Sequence, residues 1–295
     1  MAVVGLIGAG LLGTAIAKRL ARAGLEVVAY DVDEAKRAAI ATLGARPAAS
    51  VAETVRECGA LVLAVFNTDQ VEQVVEGRAG VQDTIGESRK SPIVICMSTC
   101  DPDRLVALAA RVGPRGVRML EVPVSGTSRQ VAEGDGVGLV GGERALMEEA
   151  APVLDAILAR RYYIGRVGDG SRAKLAVNLI LGLNRAALAE GLAFAERLGL
   201  DPVAFLEVAR GSAAYSQVMD VKGPLMARRE FHDPQSRVDQ SLKDFKLMLA
   251  QAHAARQELP FATLYAQMLE DCMQRGEGEW DNAAIIEAIR RRRAS

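Results

Sequence analysis

Two polar side chains stand four residues apart in a largely apolar stretch: Lys174 and Asn178 of Gly168-Asp169-Gly170-Ser171-Arg172-Ala173-Lys174-Leu175-Ala176-Val177-Asn178. That spacing puts both on one face of a helix, about a turn apart. A lysine ammonium there can give a proton to a carbonyl oxygen as it becomes an alkoxide, or stabilise the charge that develops. Asn178 can hydrogen-bond a substrate and help place the ammonium. The bland alternative, a solvated lysine and an ordinary helical asparagine, stays open on these residues alone. The apolar neighbours Leu175, Ala176, Val177, Leu179 and Ile180 argue against an exposed stretch. A second segment, Glu121-Val122-Pro123-Val124-Ser125-Gly126-Thr127-Ser128, follows an apolar run. Its backbone N–H groups and hydroxyls suit a carboxylate, or they form a polar turn and nothing more. Thr99 directly follows the run Ile93–Met97. Strand ends of that kind are where ligands bind in open α/β sheets. A proton donor beside a carboxylate cradle suits redox chemistry on a hydroxy acid, which also needs a hydride carrier.

The N-terminus offers the site for one. Val3-Val4-Gly5-Leu6-Ile7 feeds Gly8-Ala9-Gly10-Leu11-Leu12-Gly13, a helical pattern follows, and a second apolar run ends at Tyr30-Asp31. Gly8 permits the tight turn, Gly10 lets backbone approach a pyrophosphate, and Gly13 lets helix and strand pack closely. With Leu11 and Leu12 they complete the G-x-G-x-x-G fingerprint at a helix N-terminus, whose unpaired N–H groups and dipole favour an anion. Asp31 would accept hydrogen bonds from the adenosine ribose. A 2′-phosphate would meet like charge there, and Val32-Asp33 supply no arginine, which favours NAD over NADP.

These residues need a scaffold, and the pattern supplies one. Val3–Ile7, Glu26–Tyr30, Ala60–Phe66, Ile93–Met97, Arg118–Val122 and Gly138–Val140 read as strands. Near-continuous apolar runs such as Ala60–Phe66 are expected of parallel strands covered on both faces. A helix fits Ala15–Ala23, and further helices start near Asp33, Ser50, Asp69 and Asp101, the last followed by Pro102. This βαβ alternation predicts a doubly wound sheet. After about Gly165 the strand signals stop. Helical spacing then covers Lys174–Leu198, a helix opened by Asp201-Pro202, Ser236–Ala255, Pro260–Arg275 and Asp281–Arg293. The expected domains are 1–165, binding the cofactor, and 166–295, all-helical, for substrate and oligomerisation. Leu181-Gly182-Leu183 and Gly191-Leu192-Ala193 offer close-packing surface, from which a homodimer or homotetramer is expected.

Composition narrows the class. Half of the 295 residues are hydrophobic, a quarter are charged, and the formal net charge is −1. Nothing recruits nucleic acid or an anionic membrane; the basic run Arg290–Arg293 suits the end of a terminal helix. The N-terminus lacks the basic region of a signal peptide, and no unbroken apolar run spans a bilayer, so a soluble, cytoplasmic protein is expected. Cys58, Cys96, Cys100 and Cys272 form no C-x-x-C pair, and His232 and His253 are the only histidines. Reduced, buried thiols are expected rather than a zinc site, and no metal is called for.

Five motifs in order resemble the β-hydroxyacid dehydrogenases, the group of 3-hydroxyisobutyrate dehydrogenase and tartronate semialdehyde reductase, over essentially the whole length. They are G-L-I-G-A-G-L-L-G, M-S-T after the fourth strand, E-V-P-V-S-G, G-x-G-x-x-x-K-x-x-x-N, and Lys243-Asp244 in a late helix. The resemblance implies a Rossmann domain followed by an all-α domain, as in 6-phosphogluconate dehydrogenase. It implies NAD-dependent oxidation of a small 3-hydroxy acid, or the reverse, with Lys174 catalytic. Ser125, Gly126 and Asn178 would bind substrate; Thr99, Lys243, Phe66 and Asn67 would contact the cofactor. Thr127 stands where members have a second glycine, adding bulk beside the substrate and disfavouring isobutyrate semialdehyde. Val177 replaces an asparagine, and Val65-Phe66-Asn67-Thr68 replaces a Met-Leu-Pro segment. Asn67-Thr68-Asp69-Gln70 is similar to the sugar-acid branch, a hint of a polyhydroxylated acid. Ser-Gly-Thr-Ser is partly similar to the Gly-Arg-Thr-Ser of sulfolactaldehyde reductases, without the arginine. An imine reductase of this fold generally lacks the lysine, and a non-catalytic NAD-binding sensor would have no use for Lys174, Asn178 and Ser125 together.

Overall fold

A computed structural model describes residues 3–87 and 92–292. Arg293, expected in the last helix, lies outside them. The chain divides into two compact units after Lys174, nine residues beyond the boundary expected from the change in sequence texture.

In the first unit the strands are β1 (Val3–Ile7), β2 (Glu26–Tyr30), β3 (Arg46–Pro47), β4 (Ala60–Leu63), β5 (Ile93–Cys96), β6 (Arg118–Glu121), β7 (Val124–Ser125), β8 (Val137–Gly141) and β9 (Arg160–Gly165). They form one sheet in the order β3-β2-β1-β4-β5-β6-β8-β7, with β9 on the other side of β8. Strands β3 to β6 in that order are parallel, as expected. Strand β8 departs, running antiparallel to β6 and β7. The short β3 and β7, two residues each, are too brief to show periodicity. Strand β9 was missed because it alternates exposed and half-buried residues, with arginines and tyrosines in place of an apolar run.

The sheet is doubly wound, and its period-two side chains divide between two cores. Leu6, Val62 and Ile95 pack with Ile16 and Leu20 on one face. Ile7, Leu61, Leu63, Val94 and Cys96 pack with Leu105 and Leu108 on the other. The helices begin where side chains can cap them. Asp33 accepts from the Ala35 amide, Ser50 from Glu53, Asn67 from Gln70 and Asp101 from Asp103.

The second unit is helical: Pro202–Arg210, Gln217–Val221, Gly223–Arg228, Val238–Ala254, Pro260–Gln274 and Ile285–Arg291 follow the long helix Asp169–Arg197. That long helix carries Leu175, Leu188, Ala189 and Leu192 in the unit's core. It is also the one helix among the described residues long and apolar enough, by length and composition, to cross a membrane. Asn178, Asn184 and Arg185 interrupt its apolar residues, and 28 % of its apolar window is buried inside the structure. Gly182 is used inside this unit: a Cβ there would strike the Phe245 ring, itself packed on Tyr265 at a centroid distance of 4.6 Å. Its close-packing surface therefore serves a helix of the same chain. Asp281, the first residue of the helix expected over Asp281–Arg293, accepts from the Ala283 amide at 2.9 Å. Its main partner is the buried Lys222 ammonium, at 2.7 and 2.8 Å.

Candidate active site

Register places the candidate residues of the first unit along one edge. Ile7 pairs with Leu63, Leu63 with Cys96, and Cys96 with Glu121. The chain leaving each parallel strand therefore emerges at the same carboxyl edge: Gly8–Gly13, Ala64–Thr68, Met97–Thr99 and Val122–Gly126. Strand C-terminal edges of this kind are the ligand-binding side of open α/β sheets.

At β1, Gly8 has φ +99°, and a Cβ on Gly13 would overlap the Gly8 carbonyl oxygen. Both positions therefore demand glycine. A Cβ on Gly10 would meet nothing within 4 Å, so the space over the first turn of the helix Leu11–Arg22 is open. Gly10 caps that helix without a side chain, leaving the amides of Leu11, Leu12 and Gly13 for an anion. The Asp31 carboxylate accepts from the Ala9 amide at 2.7 Å and the Asp33 amide at 2.9 Å. It is thus fixed beside the glycine turn. Arg37, six residues on, returns to the same corner, donating to the Asp31 carbonyl at 2.6 Å. These features fit a dinucleotide.

At β4, the Phe66 amide donates to Gln70 Oε1 at 2.8 Å, and the Gln70 amide to Asn67 Oδ1 at 2.9 Å. Asn67 and Gln70 thus cap the helix Thr68–Glu76, and capping accounts for the Asn-x-x-Gln spacing without any substrate. At β5, the Ser98 hydroxyl donates to the Val65 carbonyl at 2.8 Å, tying this loop to the one before Phe66 and Asn67. Thr99 follows, half-buried.

The chain after β6 is bound at two points to the start of the long helix. The Lys174 ammonium, on a side chain of a residue only 6 % exposed, donates to the Val124 carbonyl at 2.6 Å. It therefore sits one residue from Ser125 and two from Gly126, which is exposed with φ +133°. Glu121 accepts from the amides of Gly168, Gly170 and Ser171 and from the Ser171 hydroxyl. Burial pushes the Glu121 carboxyl above its ordinary value, and these donors pull the other way. Thr127 is the N-cap of the helix Ser128–Glu133: its hydroxyl accepts from the Gln130 amide at 3.3 Å, and Gln130 Oε1 accepts from the Thr127 amide at 2.8 Å. The residue that replaces a glycine thus has a local structural job in its hydroxyl.

In the second unit the Asn178 amide nitrogen donates to Asp244 Oδ2 at 2.9 Å, and Lys243 pairs with Asp244 Oδ1 at 3.0 Å. Asp244 therefore links Asn178 and Lys243. The motif Lys243-Asp244 contained it, but its role as the link is a contact across helices that spacing could not reveal. Glu121, within E-V-P-V-S-G, likewise takes its role from contacts 47 to 50 residues away. The four cysteines are free and buried. Burial pushes the Cys58 and Cys272 thiols up to about 12, leaving little reactive thiolate.

Comparison with known proteins agrees with this architecture. Residues 3–165 match the model of the NAD-binding domain of 6-phosphogluconate dehydrogenase. Residues 168–289 match the NAD-binding model of NADP-dependent 3-hydroxyisobutyrate dehydrogenase. The chain belongs to the β-hydroxyacid dehydrogenase family. Among these dehydrogenases, the L-threonate dehydrogenase of Cupriavidus necator is 32 % identical over 96 % of this chain and 94 % of its own. The 2-hydroxy-3-oxopropionate reductase of Escherichia coli is 29 % identical over 97 % and 96 %. The crystal structure of a 3-hydroxyisobutyrate dehydrogenase from Salmonella typhimurium superposes with a TM-score of 0.87 at 30 % identity, covering 97 % and 99 %. As a β-hydroxyacid dehydrogenase the protein is an NAD(P)-dependent oxidoreductase acting on hydroxy acids.

Proposed function

We propose that this dehydrogenase uses NAD to interconvert a small 3-hydroxy acid and its semialdehyde or keto acid, with Lys174 as the general acid and base. The observation that carries the reading is the buried Lys174 ammonium on the Val124 carbonyl, next to Ser125 and Gly126. A lysine is seldom buried unless paired, and this ammonium is held on a backbone carbonyl at the head of the proposed carboxylate site. In oxidation Lys174 takes the hydroxyl proton; in reduction it returns one to the carbonyl oxygen. The Ser125 hydroxyl and the Gly126 amide hold the carboxylate. Asn178, one helical turn past Lys174, binds the substrate oxygen, oriented by Asp244. Nicotinamide, when bound, gives or accepts the hydride. Gly8, Gly10, Leu11, Leu12 and Gly13 hold its pyrophosphate, and Phe66, Asn67, Thr99 and Lys243 complete its site. Thr127, though a cap, adds bulk at the substrate tail.

The preference for NAD rests on Asp31, whose fixed carboxylate repels a 2′-phosphate. Arg37 beside it would attract a 2′-phosphate, so the preference requires the carboxylate to outweigh that cation. We expect kcat/KM for NAD to exceed that for NADP at least tenfold, and Asp31→Ser to reduce the ratio by about tenfold or more. Wild-type protein that prefers NADP would overturn this assignment. The reaction is tested at 340 nm with NAD and 3-hydroxyisobutyrate, 3-hydroxypropionate, glycerate, threonate or serine, and with NADH and the corresponding semialdehydes. Turnover of at least one carboxylate-bearing pair supports the reading. Turnover of cyclic imines alone overturns it.

Phe194 on the long helix and Leu198, just beyond its end, are 65 % and 63 % exposed, which supports a homodimer or homotetramer. Sedimentation equilibrium at micromolar concentration should give a multiple of 31.4 kDa; a monomer refutes it. Buried free thiols and a net charge near zero suit a cytoplasmic protein that binds neither nucleic acid nor membrane.

A further inference from the structure

We infer that Glu121 is a positioning residue for Lys174: its buried carboxylate grips the first turn of the long helix and thereby sets where the lysine ammonium stands. This rests on the reading of Lys174 as the catalytic group.

Glu121 is 0 % exposed, at the carboxyl end of β6. Its Oε1 accepts from the Gly168 amide at 2.6 Å and the Gly170 amide at 2.8 Å. Its Oε2 accepts from the Ser171 amide at 3.2 Å and the Ser171 hydroxyl at 2.5 Å. These amides belong to the start of the helix Asp169–Arg197, which has no intrahelical acceptor for them. A strand thus delivers the cap from 47 to 50 residues away in sequence. Charge-assisted bonds of this kind are roughly twice as strong as neutral ones, and the positive end of the helix dipole adds to them.

The clamp has a second point. Lys174 stands three residues beyond Ser171, on the same side of the helix. Val124, whose carbonyl takes the ammonium, stands three residues beyond Glu121. Glu121, Ser171, Lys174 and Val124 therefore close a ring, and Pro123 stiffens the backbone between its two anchors. The surroundings are shaped to the carboxylate. A Cβ on Gly141 would strike Glu121 Oε1, and one on Gly170 would crowd it at 3.2 Å. Such packing leaves the carboxylate, and through it the lysine, little freedom, and misplacement of a general acid by about 1 Å can cost a hundredfold in rate.

The test is a cycle of Glu121→Gln and Lys174→Ala, assayed with NAD and the panel substrate of highest rate. Glu121→Gln keeps the shape, removes the charge, and turns an NH2 group toward amide donors. It is expected to lower kcat by about 10- to 100-fold, with KM for NAD within twofold. In the Lys174→Ala background, Glu121→Gln should change the residual rate by less than twofold, because residues acting as one unit are not additive. Full multiplication of the two losses would show that Glu121 serves the fold at large, and would overturn the inference. So would Glu121→Gln with wild-type kcat beside an inactive Lys174→Ala. Wild-type turnover by Lys174→Ala overturns instead the reading of Lys174 itself. If Glu121→Gln does not fold, Ser171→Ala decides: it removes one donor of four, and should lower kcat two- to fivefold. Unchanged kcat there sinks the proposal.

Discussion

Lys174→Ala is expected to lower kcat by about a hundred- to ten-thousand-fold, the range that a positioned general acid or base contributes. NAD binding, measured by calorimetry, should persist within about threefold. The reason is geometric. Gly8, Gly10, Gly13 and Asp31 stand in the turn after β1, in the first turn of the helix Leu11–Arg22 and just beyond β2, and make no use of the lysine. The ammonium instead contacts the chain leading into Ser125. Truncation leaves the Val124 carbonyl without that donor and leaves the substrate oxygen without a proton source. The proposed carboxylate site keeps both the Ser125 hydroxyl and the Gly126 amide, so substrate KM should move far less than kcat. A variant with near wild-type kcat would remove Lys174 from the chemistry. Loss of NAD binding in parallel with kcat would mean that the truncation had damaged the fold.

Asp281→Ala should destabilise the second unit by about 3–5 kcal/mol, the cost of breaking a buried ion pair by deleting one partner. Asp281 and the Lys222 side chain are 0 % and 4 % exposed. Deletion therefore strands an ammonium away from water. The carboxylate also accepts from the amides of Gln235 at 2.9 Å and Ala283 at 2.9 Å. Asp281 thus pins the loop before the helix Val238–Ala254 to the turn before the helix Ile285–Arg291. A Lys222→Met, Asp281→Leu pair removes both charges but still abandons those amides. It should recover only part of the loss, in contrast to ion pairs whose replacement by apolar residues is neutral. Urea unfolding followed by circular dichroism reads both variants. A loss below about 1 kcal/mol for Asp281→Ala would show that water reaches the pair.

Much of this was legible in the chain because it depends on local rules. Continuous apolar runs identified the parallel strands β1, β2, β4, β5 and β6, since strands covered on both faces have no polar side to alternate. The glycine spacing and the acid at Asp31 pointed to the dinucleotide turn, because the positive φ at Gly8 and the close packing at Gly13 permit no side chain. Four-residue spacing put Lys174 and Asn178 on one helix face. Local rules stay ambiguous where one residue type serves two ends. Asn67, Gln70 and Thr127 all help to cap helices, and the groups that satisfy orphan amides are the same groups that bind a ligand.

The sequence by itself determined the fold class and the glycine turn, and placed Lys174 and Asn178 on one helix face, because each follows from periodicity or from contacts within a few residues. Only the tertiary structure decided what holds that lysine, which residue Asp281 neutralises, and which partner Asn178 takes. Those contacts join residues 50, 59 and 66 positions apart. No spacing rule reaches that far, because the distance between such residues is set by how strands and helices pack.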